Sequence, residues 1–110
     1  MRDPGRFWDR WAARYSRMPV PDEASYRTKL AATQARFRPE TQLFEFGCGT
    51  GSTAIAHAPH AAEVLAIDVS RKMLEIAQAK AAAAGLRNVD FRQGDIRGFD
   101  AGGRRFDMVL

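Results

Sequence analysis

The sequence predicts an α/β protein with a parallel, doubly wound sheet that two helices precede. Three observations predict it. From residue 41 onward, short apolar strands alternate with helical segments, the first strand runs directly into a glycine-rich turn, and residues 1–40 show helical spacing only. Strands that alternate with helices at this spacing are joined by right-handed crossovers, so the sheet is expected to be parallel.

The first helix is predicted over residues 4–17. Asp3 provides an N-cap and Pro4 occupies the first helical position, where a missing N–H costs nothing. Its apolar face is expected at aromatic residues spaced four apart, namely Phe7, Trp11 and Tyr15. Pro19 and Pro21 are expected to end this helix.

A second helix follows Asp22, which is expected to cap it, and Pro39 is expected to stop it. Its apolar face comprises Tyr26, Leu30, Thr33 and Phe37. We expect residues 1–40 to form a helical lid or appendage and residues 41–110 to form a separate α/β half-domain.

Within residues 41–110, strands are predicted at 42–46, 63–68, 89–93 and 106–110. Helices are predicted at 52–58 and 71–84, the second of them capped by Ser70 and ended by Gly85.

The composition of the chain limits the classes of protein to which it can belong. The chain has 110 residues, 45% hydrophobic and 27% charged, which is typical of one globular domain. No apolar run is long enough for a membrane span, and the charged N-terminus lacks the apolar stretch of a signal peptide, so a cytoplasmic location is expected. A single cysteine excludes an intrachain disulfide and, with two histidines, leaves too few ligands for a closed zinc site.

The net charge of +4 comes entirely from residues 1–40, where nine Lys and Arg residues face five acids. A basic segment of this kind suits an acidic substrate or nucleic acid, although arginines spaced three or four apart more often form a solvated helix face.

The glycine turn carries the chemistry. A strand that enters a helix through Gly47-x-Gly49-x-Gly51 presents backbone N–H groups to a ligand. The dinucleotide-binding fingerprint G-x-G-x-x-G would need its third glycine where Ser52 stands. The sequence therefore gives less support to a dinucleotide-binding site. Asp68 ends the second strand, where a carboxylate can accept from both hydroxyls of a ribose.

Together these residues resemble the class I S-adenosylmethionine-dependent methyltransferases. The matching motifs are Glu45-Phe46-Gly47-Cys48-Gly49-Thr50-Gly51, then Asp68, then Gly94-Asp95-Ile96, and then Phe106-Asp107-Met108-Val109-Leu110. The resemblance implies a Rossmann-like sheet of strand order 3-2-1-4 and S-adenosylmethionine as the cofactor.

The resemblance also implies roles for single residues. Gly47 and Gly49 would line the methionine portion of the cofactor, Glu45 would lie near its amino group, and Asp68 would hold the ribose. Asp95 would accept from the adenine amino group. The full set of implied cofactor-binding residues is Glu45, Gly47, Cys48, Gly49, Asp68, Val69, Met73, Asp95 and Ile96.

Other side chains have plainer interpretations. In enzymes of the resembled family an aromatic residue of the N-terminal helices often closes over the cofactor, and the candidates here are Phe7, Trp8, Trp11, Tyr15 and Tyr26, with Tyr15 and Tyr26 preferred for that role. The helical spacing of these residues, however, favours packing alone. Cys48 is not expected to be a nucleophile, because no histidine stands in a partner pattern. His57 and His60 are expected at the surface. No catalytic residue or metal site is identified.

Members of the resembled family have seven strands, and this chain reaches the fourth. The C-terminal strands of that fold are therefore expected outside this chain, which is expected to be a fragment. The alternatives are a complementing chain or self-association through the open edge of strand four.

Three functions stay open at this point. The leading one is methyl transfer to a small-molecule acceptor, with nucleic acid not favoured and no membrane partner expected. The alternatives are a nicotinamide-dependent Rossmann oxidoreductase fragment and a non-catalytic, partner-dependent subunit that binds the cofactor without turnover.

Overall fold

The computed structural model describes residues 3–17 and 22–110, apart from the side chains of Tyr15 and Ser16. The predicted helix stops at Pro19 and Pro21 lie outside the described residues. The elements in chain order are α1 (Pro4–Ser16), α2 (Glu23–Gln34), β1 (Gln42–Phe46), α3 (Ser52–His57), a 3-10 turn (Ala58–His60), β2 (Glu63–Asp68), α4 (Arg71–Ala83), β3 (Val89–Gln93) and β4 (Met108–Val109).

The four strands form one parallel sheet in the order β3-β2-β1-β4, which confirms the predicted order and direction. Leu43 of β1 lies between Val64 of β2 and Met108 of β4. All four strands therefore end at the same edge of the sheet, and the loops that follow β1, β2 and β3 meet there.

Successive strand residues point to opposite faces, so the sheet has two apolar layers. One face packs beneath α3 and α4 and contains Leu43, Val64, Ala54, Leu74 and Ala77 among its buried residues. The opposite face contains Phe44, Leu65 and Ile67, and the segment between β3 and β4 covers it with Phe99 and Phe106.

The N-terminal caps of α2 and α4 and the C-terminus of α4 follow the predicted signals, whereas α2 ends at Gln34, before the predicted stop at Pro39. Asp22 caps α2 by accepting from Ser25 N at 3.0 Å, and Ser70 caps α4 by accepting from Met73 N at 3.2 Å. Beyond α4, Gly85 N donates to Ala82 O and Leu86 N donates to Ala81 O, which is the Schellman pattern of a helix C-terminus.

The fourth strand is shorter than predicted. Regular strand geometry covers Met108–Val109, although Asp107 N and Leu110 N still donate to β1 carbonyls. Phe106 leaves the strand because its ring packs against Phe44 on the face below, with centroids 5.1 Å apart. Val109 on this outer strand is 57% exposed.

The predicted apolar face of α1 is wrong at Phe7 and Trp11, which are 51% and 40% exposed, whereas Gly5 and Ala12 are buried. Helix α1 packs against α4. The predicted face of α2 is confirmed in outline, since Tyr26, Leu30 and Thr33 are half-buried, but Gln34 is half-buried as well and no residue of α2 is fully buried. Phe37 is half-buried beyond the end of α2.

No helix within residues 3–17 and 22–110 is both long and apolar enough to cross a membrane.

Candidate functional site

A pocket of about 310 Å³ lies at the carboxyl edge of the sheet. Its walls come from the ends of β1, β2 and β3, from the start of α4 and from α1. The lining residues are Trp8, Phe46, Gly47, Gly49, Asp68, Val69, Met73, Gly94, Asp95 and Ile96. Seven of the nine cofactor-binding residues implied by the resemblance thus line one cavity: Gly47, Gly49, Asp68, Val69, Met73, Asp95 and Ile96.

The glycine turn between β1 and α3 forms the pocket floor. Gly47, Gly49 and Gly51 all adopt positive φ, at 64°, 57° and 82°, a region that side chains with a Cβ rarely enter. A Cβ at Gly51 would also lie 2.8 Å from that of Ala77 and 3.1 Å from the ring of Phe91. Glycine therefore lets the turn lie flat against α4 and keeps its backbone open to a ligand.

Asp68 holds the turn in place from the end of β2. One carboxylate oxygen accepts from Gly49 N at 2.8 Å and the other accepts from Ser70 N at 2.9 Å. The side chain is buried but lines the pocket. Since a carboxylate offers about four acceptor positions, these two bonds leave capacity for hydroxyl donors of a ligand.

Glu45 lies beneath the pocket rather than in its lining. Its residue is 8% exposed, and its Oε2 is the buried side-chain oxygen that finds no hydrogen-bond partner among the described residues. Burial, followed by the charge of Asp68, raises the pKa of Glu45 to about 7. An acceptor held in this way suits a cationic donor delivered by a ligand.

Asp95 and Ile96 form the wall that follows β3. Both oxygens of Asp95 accept from the Arg97 guanidinium, with Nε at 3.1 and 3.0 Å, and these hydrogen bonds lower the pKa of Asp95 to about 2. Ile96 is 47% exposed although it lines the cavity, and Met73 contributes a buried side chain from the first turn of α4. This wall offers an acceptor beside an apolar surface, as a heteroaromatic ring requires.

Two aromatic residues line the pocket, Phe46 at the end of β1 and Trp8 on α1, and Trp8 is the one that the N-terminal helices contribute. Tyr26 does not line the pocket, because its hydroxyl bonds with Thr53 Oγ1 at 2.8 Å and holds α2 against α3. The side chain of Tyr15 lies outside the described part of the structure. Trp8 stands one residue off the spacing-four series, so helical periodicity directed attention away from it.

Cys48 has its backbone in the glycine turn and its side chain in the hydrophobic core under α3 and α4, away from the pocket lining. Burial, with the nearby carboxylates of Glu45 and Asp68, raises the pKa of the Cys48 thiol to about 12. A thiol of that pKa stays protonated at neutral pH, which agrees with its rejection as a nucleophile.

His57 is not at the surface as expected. It is 1% exposed, its Nδ1 lies 3.2 Å from Gln34 Nε2, and its ring meets that of Phe37 at a centroid distance of 5.1 Å. No local pattern in the sequence indicates this contact, because it joins residues 23 positions apart. His60 is exposed, as expected.

A glycine turn after β1, an acid at the end of β2 and a sheet of order 3-2-1-4 define the Rossmann-like fold of class I S-adenosylmethionine-dependent methyltransferases. The comparisons with known proteins agree. The family model described as "Methyltransferase domain" matches residues 43–110, so this chain belongs to the methyltransferase family.

Among curated proteins, the chain is similar to an uncharacterized methyltransferase, YcgJ of Bacillus subtilis strain 168. The two are 32% identical over 80 residues, which is 73% of this chain and 32% of YcgJ. A ubiquinone biosynthesis O-methyltransferase of Sinorhizobium fredii is 38% identical over 69 residues, or 63% of this chain and 27% of the relative. The chain thus spans about a third of the length of the relatives it matches.

Among solved structures, a complex of DhpI with SAH matches with a TM-score of 0.74 and 28% identity, over 94% of this chain and 48% of that one. Because so little of the chain is left uncovered, the likeness includes N-terminal helices as well as the sheet.

Proposed function

We propose that this chain is the cofactor-binding portion of a methyltransferase that transfers a methyl group from S-adenosylmethionine to a small-molecule acceptor. The observation that carries the proposal is the single cavity that joins the glycine turn, Asp68 and Asp95. The order of the motifs along the chain is compatible with several chemistries. Because the motif residues converge on one pocket, a single extended ligand is favoured.

Each group of that pocket suits one part of the cofactor. The backbone of Gly47 and Gly49 would line the methionine portion, and the unpartnered Glu45 oxygen would accept, directly or through water, from its ammonium group. Asp68 has acceptor capacity for the ribose hydroxyls.

The adenine would lie on the wall that follows β3. Its amino group would donate to Asp95, while Ile96, Met73 and Val69 offer apolar surface to the ring. Hydrogen bonds from Arg97 lower the pKa of Asp95 to about 2, so its carboxylate stays an acceptor well into acid pH.

When bound, the cofactor supplies an electrophilic methyl group on a sulfonium, and displacement needs alignment and a dry pocket more than acid–base catalysis. The residues of this chain would accordingly bind and orient. We assign no catalytic residue, and a small-molecule acceptor is supported by the similarity to a ubiquinone biosynthesis O-methyltransferase. We place the reaction in the cytoplasm, as the composition predicts.

Calorimetric titration with S-adenosylhomocysteine tests the proposal. Asp68→Asn should weaken binding by about tenfold or more, because a hydrogen bond to a charged group contributes about 1.5–3 kcal/mol. The matched control is Asp107→Asn, since Asp107 accepts from Gln42 N at 2.7 Å at the opposite edge of the sheet. That variant should bind like the wild type.

NADH serves as the competing ligand in the same titration. Binding of NADH in preference to S-adenosylhomocysteine would overturn the assignment in favour of a nicotinamide-dependent enzyme. Equal loss of binding in the two aspartate variants would show that Asp68 acts through stability alone.

Glu45 provides a second test through pH. Its pKa of about 7 lies above the ordinary value of 4.5, so the folded chain without ligand loses stability as pH rises from about 4.5 to 7. Ionised Glu45 should attract the ligand's ammonium group, so S-adenosylhomocysteine affinity should rise from pH 6 to pH 8. Glu45→Gln should flatten that rise, and a rise that persists in the variant would contradict the assigned contact.

A further inference from the structure

Helix α1 is fastened to the first turn of α4 by one carboxylate. Oδ1 of Asp9 accepts from the Ser70 hydroxyl at 2.6 Å and from Lys72 N at 3.1 Å. Asp9 thus satisfies a backbone donor at the N-terminus of α4, which would otherwise face solvent unpaired. The bond joins two residues that are 61 positions apart.

Ser70 passes this contact on to the cofactor pocket. Its side chain is fully buried, its hydroxyl caps α4 at Met73 N, and its own N–H donates to Asp68 at 2.9 Å. The second oxygen of Asp68 accepts from Gly49 N. A continuous hydrogen-bonded chain therefore runs from α1 through Ser70 and Asp68 to the glycine turn.

A close backbone approach reinforces the same junction. A methyl group at Gly5 would lie 2.2 Å from the carbonyl oxygen of Val69, so only glycine lets α1 approach this closely. Trp8 on the same helix lines the pocket. Docking of α1 thus completes one wall of the cavity while it fixes the loop that presents Asp68 and Val69.

We propose that α1 is an integral part of the cofactor site, and that Asp9 is a positioning residue that couples the docking of α1 to the orientation of Asp68. The inference rests on the function proposed above. By linkage, the cofactor binds more tightly when α1 is docked, and α1 docks more tightly when the cofactor is bound.

The chain contains a matched control for Asp9. Asp22 also accepts from a serine hydroxyl and from a backbone N–H at a helix N-terminus, at 2.7 and 3.0 Å from Ser25. It caps α2 and is not among the residues that line the pocket. Asp9→Ala and Asp22→Ala each remove a carboxylate that accepts hydrogen bonds at a helix N-terminus, but only the first breaks the chain to Asp68.

The experiment measures S-adenosylhomocysteine affinity by calorimetry on the full chain, with thermal melting to correct for unfolded protein. Asp9→Ala should weaken binding on the order of tenfold, within the usual range of coupling between sites, whereas Asp22→Ala should change it less than about twofold. Asp9→Asn keeps a side-chain oxygen that can accept from Ser70 and Lys72 and should recover most of the affinity.

Hydrogen exchange gives a readout that a structural cap alone would not move. Saturating S-adenosylhomocysteine should slow amide exchange in α1 of the wild type, and this gain should vanish in Asp9→Ala. If Asp9→Ala does not fold, Gly5→Ala replaces it, because the clash with Val69 displaces α1 while every side chain of the hydrogen-bonded chain remains.

The outcomes separate the two proposals. A wild type that does not bind S-adenosylhomocysteine contradicts the proposed function. A wild type that binds, together with Asp9→Ala or Gly5→Ala variants that bind equally well, overturns the coupling and leaves the proposed function intact.

Discussion

The two N-terminal helices are attached to the sheet domain in different ways. Helix α1 buries small residues, Gly5 and Ala12, against α4 and fastens itself with Asp9. Helix α2 buries no residue fully and is held by polar contacts to α3, from Tyr26 to Thr53 and from Gln34 to His57. Close backbone approach brings α1 into the cofactor pocket, whereas α2 remains outside the pocket lining.

Helix α1 has more aromatic residues than α2, yet the rings of Phe7 and Trp11 do not form its interface with the rest of the domain. The exposed rings of Phe7 and Trp11 leave the docking of α1 to residues with little side-chain area. Changes at small buried positions of α1 should therefore have larger effects than changes at its large exposed ones.

The largest expected effect is that of Ala12→Glu. Ala12 is 1% exposed, and burial of an unpaired carboxylate is so costly that α1 should detach instead. S-adenosylhomocysteine affinity should fall about tenfold or more, with loss of exchange protection in α1. The control is Ala32→Glu at an exposed position of α2, and equal effects of the two variants would erase the distinction between the helices.

The next effect concerns His57 and acid. Burial, with a smaller contribution from His60, lowers the pKa of His57 below its ordinary 6.5, so the folded state prefers the neutral ring. The associated stability is present above pH 6.5 and is lost as pH falls from there. The protection factors of the α2 amides, which compare observed exchange with the intrinsic rate at the same pH, should therefore fall at pH 5, and by more than those of α1.

Gln34→Ala should cost about 1 kcal/mol at pH 7.5, because it removes the amide that donates to the ring and to Ala56 O. His57→Asn should remove the additional acid sensitivity of α2. A loss of protection at pH 5 that persists in His57→Asn would assign the acid sensitivity to another group.

A smaller effect is expected for Tyr26→Phe. Loss of the half-buried hydroxyl contact with Thr53 should lower the free energy of unfolding by about 1 kcal/mol without changing cofactor affinity. A double-mutant cycle with Thr53→Val measures the pairwise contribution. Weakened binding of S-adenosylhomocysteine in Tyr26→Phe would restore Tyr26 as a residue of the pocket.

The smallest effect belongs to Trp11→Ser. The ring is 40% exposed and has the Arg14 guanidinium 5.5 Å from its centroid, an exposed cation–π contact. Chemical denaturation should detect a change of about 0.5 kcal/mol. A loss of several kilocalories per mole would show that the aromatic side of α1 is a buried interface after all.

The sheet was predictable because its signals are local. Short apolar runs located β1 and β2, and glycines that require positive φ located the turn and the end of α4. Parallel order then placed Asp68 and Asp95 at one edge without any knowledge of their contacts.

The face of α1, the burial of His57 and the place of Trp8 were not predictable in this way. Each depends on how closely two segments distant in sequence approach, and the approach of Gly5 to Val69 has no signature in local periodicity. Aromatic residues spaced four apart indicate a helix, but they do not show which side of that helix packs against a neighbouring element.

The buried thiol of Cys48 is an intrinsic reporter of the opening of the glycine turn. It is the single cysteine of the chain, it lies in the core below the turn, and its thiol does not ionise at neutral pH. A thiol reagent can reach it only after α3 or the turn has moved aside. The rate at which the thiol is labelled therefore reports how often the glycine turn opens, and no engineered probe is needed. A ligand that bridges Gly49 and Asp68 should slow this labelling.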